Sequence, residues 1–146
     1  MTADVAFRCR RKLNIARRSA RNTAGRLSHA GRMELPIEVR AHAEELIRRF
    51  CEARVPEAGR EEVRLLFKTK GCSITLIEER PHFQREGLWA LLPIARSRYQ
   101  KTTGQWTLYR RNRSLRWFVY PNVGPARDLS ELIAAVDRDT TGIFWG

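Results

Sequence analysis

The sequence has few cysteines, and those it has lie far apart. Its 146 residues include only Cys9, Cys51 and Cys72, and no two of them form a CxxC pair. An odd number at this spacing argues against a disulfide framework and against a zinc finger. Unpaired cysteines are typical of a reducing compartment, so we expect a cytoplasmic protein.

Long apolar runs and catalytic motifs are also lacking. No apolar stretch approaches the roughly 20 residues that span a bilayer, so we expect no membrane span. The sequence has no phosphate-binding loop, no GxGxxG, no HExxH and no Ser–His–Asp order. Because the sequence contains none of these cofactor-binding or catalytic motifs, we expect no cofactor and no bound metal.

Acidic residues are scarce in two regions of this chain, whose formal net charge is +12. Residues 1–32 hold nine Lys or Arg against Asp4 alone, a net charge of +8. Residues 87–127 hold eight bases and no acid, too many for local pairing to neutralise. The hydrophobic fraction of 42% is that of a globular protein, and residues 33–146 carry a net charge of only +4.

Residues 1–32 differ from the rest in composition, and three interpretations of them are open. They can form a disordered basic tail that binds nucleic acid or anionic lipid. They can be an organellar transit peptide, which has this composition. They can also precede the true start of translation, because Met33 stands just before the first well-patterned helix. In each case we expect residues 33–146 to form a single α+β domain.

Apolar periodicity predicts a helix near each end of this domain. Residues 36–54 repeat apolar side chains at helical spacing, with Pro36 suited to the first turn. Near the C-terminus, "DLSELIAAVD" begins with Asp128 and has Glu131 three residues later, which is a capping-box arrangement. We expect both helices to pack mainly on one face of a sheet.

Alternating apolar residues predict five antiparallel strands between the two helices. Residues 62–79 form a hairpin in this interpretation, with Lys70 and Gly71 as its two-residue turn. The other three strands are expected near residues 94–101, 105–111 and 114–120. The predicted fold is therefore α+β, an antiparallel β-sheet of about five strands with an N-terminal and a C-terminal helix.

The last three strands carry different chemistry on their two faces. A two-residue turn at Asn112 and Arg113 would place Trp117 beside Trp106 on an apolar face. The opposite face would be basic and aromatic. It would carry Arg96, Arg98, Tyr109, Arg111, Arg116, Phe118 and Tyr120.

Four short motifs resemble those of a bacterial family, the domain of unknown function 3024. They are "EERP" at 78–81, "PIARSRY" at 93–99, "WTLYRRNRSLRWFVYP" at 106–121 and "IFWG" at 143–146. The resemblance covers about residues 37–146. It implies a bacterial, cytoplasmic, stand-alone domain, and it brings no known reaction, ligand or catalytic residue.

The basic and aromatic face is the strongest candidate for function. Single-stranded nucleic acid binds to basic grooves in which aromatic side chains stack on bases, so nucleic acid or another polyanion is the expected partner. The same residues also suit the solvated face of an antiparallel sheet. An alternative is a small enzyme or metal-binding protein that uses Glu78, Glu79 and His82. Strand alternation opposes this alternative, because it sends the two glutamates to opposite faces.

Overall fold

Two helices and one five-stranded sheet make up residues 34–145, which are the residues that the computed structural model describes. The strands are antiparallel and lie side by side in chain order. The elements are α1 (Ile37–Arg54), a 3₁₀ turn (Glu57–Gly59), β1 (Arg64–Lys70), β2 (Ser73–Pro81), β3 (Trp89–Gln100), β4 (Gln105–Arg111), β5 (Trp117–Val119) and α2 (Leu129–Arg138). The predicted α+β class and strand number are confirmed. The expectations for residues 1–32 lie outside the described residues.

Both helices bury one apolar stripe against the same side of the sheet. Helix α1 buries Ala43, Ile47 and Cys51, which recur every four residues and so lie on one face of the helix. Helix α2 buries Leu129, Leu132 and Val136 in the same way. These residues belong to one core cluster with the apolar residues of the strands, which confirms that the helices pack on one face.

The start of α2 follows from local hydrogen bonding. Asp128 has an extended backbone, and its Oδ1 accepts a hydrogen bond of 2.9 Å from the backbone N–H of Ser130. Bonds from the backbone and the side chain of Ser130 lower the pKa of Asp128, because they favour the charged carboxylate. The predicted N-cap is therefore present.

The β1–β2 hairpin turns one residue later than predicted. Lys70 pairs with Ser73, so the turn residues are Gly71 and Cys72, and Gly71 takes a positive φ of 58°. The turn still has two residues, as predicted. Each side chain of the two strands therefore keeps its predicted face. Phe67 lies opposite Leu76 in the core, as the alternation predicts.

The loop between β4 and β5 is longer than predicted, and this reverses the faces of β5. Arg111 pairs with Trp117 across a five-residue loop, not a two-residue turn. The backbone N–H of Asn112 bonds to the Arg116 carbonyl at 2.9 Å, and Leu115 takes a φ of 63°. The three extra residues are an odd number, which moves every β5 side chain to the opposite face. The prediction that Trp117 lies in the core beside Trp106 is wrong.

The chain ends in a loop closed by one carboxylate, which we call the C-terminal clasp (residues 139–145). Asp139 accepts hydrogen bonds from the backbone N–H groups of Ile143, Phe144 and Trp145 at 2.9–3.2 Å. The Trp145 indole N–H donates to the carbonyl of Val136 at 2.7 Å. The closing aromatics are thus held in place, and Phe144 is buried in the core.

The pairing register divides the sheet into two faces. The face under the helices, which we call the covered face, holds core residues such as Ile74, Leu108 and Trp106. The other we call the open face, since neither described helix contributes its buried stripe to it. The strand residues of the open face include Lys68, Lys70, Ser73, Thr75, Arg96, Arg98, Thr107, Tyr109, Arg111, Trp117 and Val119.

Candidate anion-binding cleft

Cross-strand pairing arranges the polar residues of the open face in two rows. The first row runs Ser73, Arg98, Thr107 across β2, β3 and β4, and Lys70 of β1 lies opposite Ser73. Arginine in this row has a hydroxyl-bearing neighbour on each side. We call it the Arg98 row.

The second row is parallel to the first and carries the aromatic side chain. It runs Thr75, Arg96, Tyr109 across the same three strands and continues to Val119 on β5. We call it the Arg96 row. Residues two apart on a strand are separated by about 6.8 Å, which is therefore the distance between the rows along the strands.

A cleft of about 780 Å³ lies over these two rows. It is an open concavity at the end of the sheet where the β1–β2 and β3–β4 turns meet. Its lining residues are Lys70, Gly71, Cys72, Ser73, Thr75, Arg96, Arg98, Tyr99, Gln100, Lys101, Thr107 and Tyr109. A cavity of this volume falls in the range that small-molecule ligands occupy.

The lining of the cleft is cationic. It includes Lys70, Arg96, Arg98 and Lys101 and no carboxylate. The nearest acid on the open face of β2 is Glu79, about 13 Å along the strand from Thr75 by strand geometry. Among the described residues, no salt bridge joins Arg96 or Arg98 to an acid. The positive charges of Arg96 and Arg98 are therefore not neutralised by a described acid.

Arg96 is held by neighbours on two sides. Its Nε donates a hydrogen bond of 3.1 Å to Thr75 Oγ1, and its Cζ lies 4.4 Å from the centre of the Trp117 ring. Arg111 also approaches this ring, with its Cζ 5.7 Å from the centre. Burial lowers the pKa of Arg96, and the like charge of Arg111 lowers it further. The guanidinium stays charged, because arginine titrates far above neutral pH.

The seven predicted site residues do not all lie together. Arg96, Arg98 and Tyr109 line the cleft, as one face of the predicted sheet requires. Arg111 is on the same face beside Trp117, and its Nε donates to the Leu115 carbonyl at 3.2 Å. Arg116 lies exposed in the β4–β5 loop.

The predicted positions of Phe118 and Tyr120 on this face are wrong. Phe118 pairs with Arg110, which places it on the covered side of β4. Tyr120 is 3% exposed and packs on Phe144 with 5.0 Å between ring centres. The cause is the odd increase in the length of the β4–β5 loop, which exchanges the two faces of everything that follows.

The prediction missed three contributors to the site. Trp117 was assigned to the core by the same register error. Lys70 and Lys101 lie in or beside turns, where strand alternation gives no direction for a side chain. The signal that could have found the lysines is the antiparallel pairing itself, because β1–β2 and β3–β4 turns must meet at one end of a meander.

Glu78, Glu79 and His82 do not converge. Glu78 is on the covered side and forms an ion pair with Arg80, whereas Glu79 is opposite Arg64 on the open side. His82 is in the β2–β3 turn, where its Nδ1 accepts a hydrogen bond from the backbone N–H of Gln84 at 3.1 Å. Within residues 34–145, no three His, Cys, Asp or Glu side chains are grouped closely enough to hold a metal ion.

Comparison with known proteins gives a family and nothing narrower. In the described part of the chain, neither helix has the length and apolar character to cross a membrane. No curated protein and no solved structure matches the sequence. The family described as Domain of unknown function (DUF3024) matches residues 35–146, which include both helices, all five strands and the cleft. The chain therefore belongs to the DUF3024 family.

Proposed function

We propose that the open face of this domain binds single-stranded nucleic acid, with the cleft as the centre of the contact. The observation that carries the proposal is the composition of the cleft, which has four cationic side chains, two tyrosine rings and no acid. Basic grooves with aromatic platforms are the common means by which proteins hold single strands.

The charges of the cleft favour an anionic partner over plain solvation. A solvated sheet face usually mixes acids with bases, because mixed charge avoids self-repulsion. Here Arg96 and Arg111 approach one tryptophan ring, and repulsion between them contributes to the lowered pKa of Arg96. A phosphate bound near them would relieve this repulsion, whereas water only screens it.

The shape of the site favours an extended strand over a duplex. Bases can stack only if they leave the helix, and the Tyr109 ring in the open cleft is reachable by an unpaired base. Tyr109 is half-buried and lines the cleft, so one side of its ring is accessible. A duplex would present phosphates to the basic residues but would leave this ring without a partner.

The proposal also includes the cellular compartment of the protein. The sequence has three cysteines far apart and no CxxC pair, which argues against a disulfide framework and is typical of a reducing compartment. We therefore infer a bacterial, cytoplasmic domain of residues 33–146 that carries residues 1–32 as a basic extension.

The test is the salt dependence of binding, measured on the full chain with a fluorescent single-stranded oligonucleotide. Residues 1–32 have a net charge of +8 and will bind any polyanion, so two charge-matched variants are compared. Arg98→Gln removes a charge from the cleft, and Arg49→Gln removes one from the exposed side of α1, where Glu45 retains Arg48 as a partner.

We expect Arg98→Gln to flatten the plot of log affinity against log salt by about 0.7, the contribution of one phosphate contact on a single strand. Arg49→Gln should leave the slope of the wild-type chain unchanged. Equal slopes for the two variants would show that the open face is not where the strand binds.

A further inference from the structure

Arg96 and Arg98 differ in their surroundings although they are two residues apart on one strand. Arg96 has its guanidinium against the ring of Trp117 and its Nε bonded to Thr75. Arg98 is exposed and has Ser73 and Thr107 as its cross-strand neighbours. The guanidinium plane of Arg96 is fixed by these two contacts, whereas the exposed side chain of Arg98 can change rotamer to approach an anion.

A guanidinium held against an aromatic ring is a platform for stacking. Proteins stack unpaired bases on aromatic side chains and also on arginine planes. Arg96 lines the cleft, while Trp117, whose ring the Arg96 guanidinium contacts, does not. A base that enters the cleft therefore meets the guanidinium of Arg96 and the neighbouring ring of Tyr109, which is directly opposite on β4.

The Arg98 row has what a phosphate requires. Arg98 and Lys70 supply charge, and the hydroxyls of Ser73 and Thr107 supply further hydrogen-bond donors. No aromatic side chain belongs to this row. The two rows are about 6.8 Å apart along the strands, so one nucleotide can reach both, with its base on one row and its phosphate on the other.

We propose that the cleft is a nucleotide site with two halves, in which Arg96 stacks on the base and the Arg98 row binds the phosphate. This assignment rests on the proposed function. It makes Arg96 a stacking residue in spite of its charge, and it predicts that lysine can replace Arg98 but not Arg96. A free nucleotide and a nucleotide within a strand present the same chemistry to the cleft.

The test uses the full chain and two probes of ten nucleotides each. One is an oligodeoxythymidine, and the other is an abasic strand with the same number of phosphates. Arg96→Lys keeps the positive charge but removes the planar guanidinium on which a base would stack. Arg98→Lys also keeps the charge, which is all that the proposed phosphate contact requires. At fixed salt, Arg96→Lys should weaken binding of the oligodeoxythymidine at least about fivefold, which is the lower bound for loss of one stacked base. Its affinity for the abasic strand should stay within about twofold of wild type, since no base is there to stack.

Arg98→Lys should bind both probes nearly as well as the wild-type chain. Trp117→Leu removes the ring behind Arg96 and should reproduce the pattern of Arg96→Lys, which provides a second variant if the first folds poorly. Melting temperatures identify any variant that is unfolded.

The assignment is overturned if Arg96→Lys binds oligodeoxythymidine like wild type, or if it loses both probes equally. In either case the proposed function stands as long as Arg98→Gln still flattens the salt slope relative to Arg49→Gln. If Arg98→Gln has no such effect, the proposed function itself fails.

Competition distinguishes the two sources of a nucleotide. Displacement of the oligodeoxythymidine by thymidine monophosphate, at a concentration at which inorganic phosphate has no effect, supports a site that accepts free nucleotides. Displacement by neither competitor supports a site for nucleotides within a strand. Equal displacement by both overturns the base-stacking half of the site.

Discussion

The covered and open faces of the sheet are built from the same strands and have opposite chemistry. On β4, Trp106 and Leu108 point into the core, and Thr107 and Tyr109 between them line the cleft. The apolar composition of the covered face is explained by packing, because both helices bury their apolar residues against it. On the open face, Arg96 and Arg98 form no salt bridge with a described acid, and close like charges disfavour the folded state. The proposed function accounts for the difference, because an anionic strand on the open face would contact these arginines.

The sharpest contrast between the faces is between two tryptophans. Trp106 is 3% exposed in the core, and Trp117 lies half-buried on the open face. Trp106→Ala should lower the free energy of unfolding by about 3–5 kcal/mol, as for other large aromatics in cores. Trp117→Ala should cost less than half as much, because its ring packs mainly on arginine side chains. Urea unfolding measures both, and equal losses would show that the two faces are not distinct in packing.

The C-terminal clasp gives the next largest expected effect, and its Phe144 packs in the core. Asp139→Ala removes the acceptor for three backbone N–H groups and should cost about 1.5–3 kcal/mol. The matched variant Asp137→Ala breaks the exposed ion pair with Arg54 and should cost less than about 1 kcal/mol. If the two variants unfold at the same urea concentration, the clasp contributes nothing that an ordinary surface pair does not.

The smallest effect concerns the loop that decides which face Trp117 takes. Leu115 is exposed and has a φ of 63°, a left-handed conformation that costs a side chain about 1–2 kcal/mol. Leu115→Gly should therefore stabilise the domain, by about 1 kcal/mol or somewhat less after the added chain entropy. Ser114→Gly, one residue earlier and without a positive φ, should give no gain in the same thermal unfolding measurement. A loss of stability in Leu115→Gly would contradict the loop geometry, and with it the assignment of Trp117 to the open face.

How much the sequence could reveal depended on which interaction fixed each feature. The helices and the core face of β1 and β2 followed from periodicity, because burial of Ile47 or Phe67 is a local consequence of spacing. The face of β5 could not be obtained in this way. It depends on the number of residues in one loop, and "RNRSLR" offers two plausible turns that differ by an odd number of residues.

The residues of the candidate site were likewise predictable only where strand alternation placed them. Arg96, Arg98 and Tyr109 were found because the β3–β4 loop, residues 101–104, holds an even number of residues, as a two-residue turn does, so the side chains keep their predicted faces. Lys70 and Lys101 could have been added from the predicted antiparallel pairing, because the β1–β2 and β3–β4 turns lie at one end of the sheet. The contact between Arg96 and Trp117 requires the loop register, so the sequence alone could not suggest a stacked guanidinium.

The most direct test of the account is to map where a single strand touches the full chain. The backbone amide resonances of an isotopically labelled sample are followed by NMR as an unlabelled oligodeoxythymidine is added. We expect the largest shifts within residues 70–75, 96–101 and 107–111, with the amides of α1 and α2 nearly unchanged. Shifts that are confined to residues 1–32, or that centre on the helices, would contradict the claim that the open face is the binding surface.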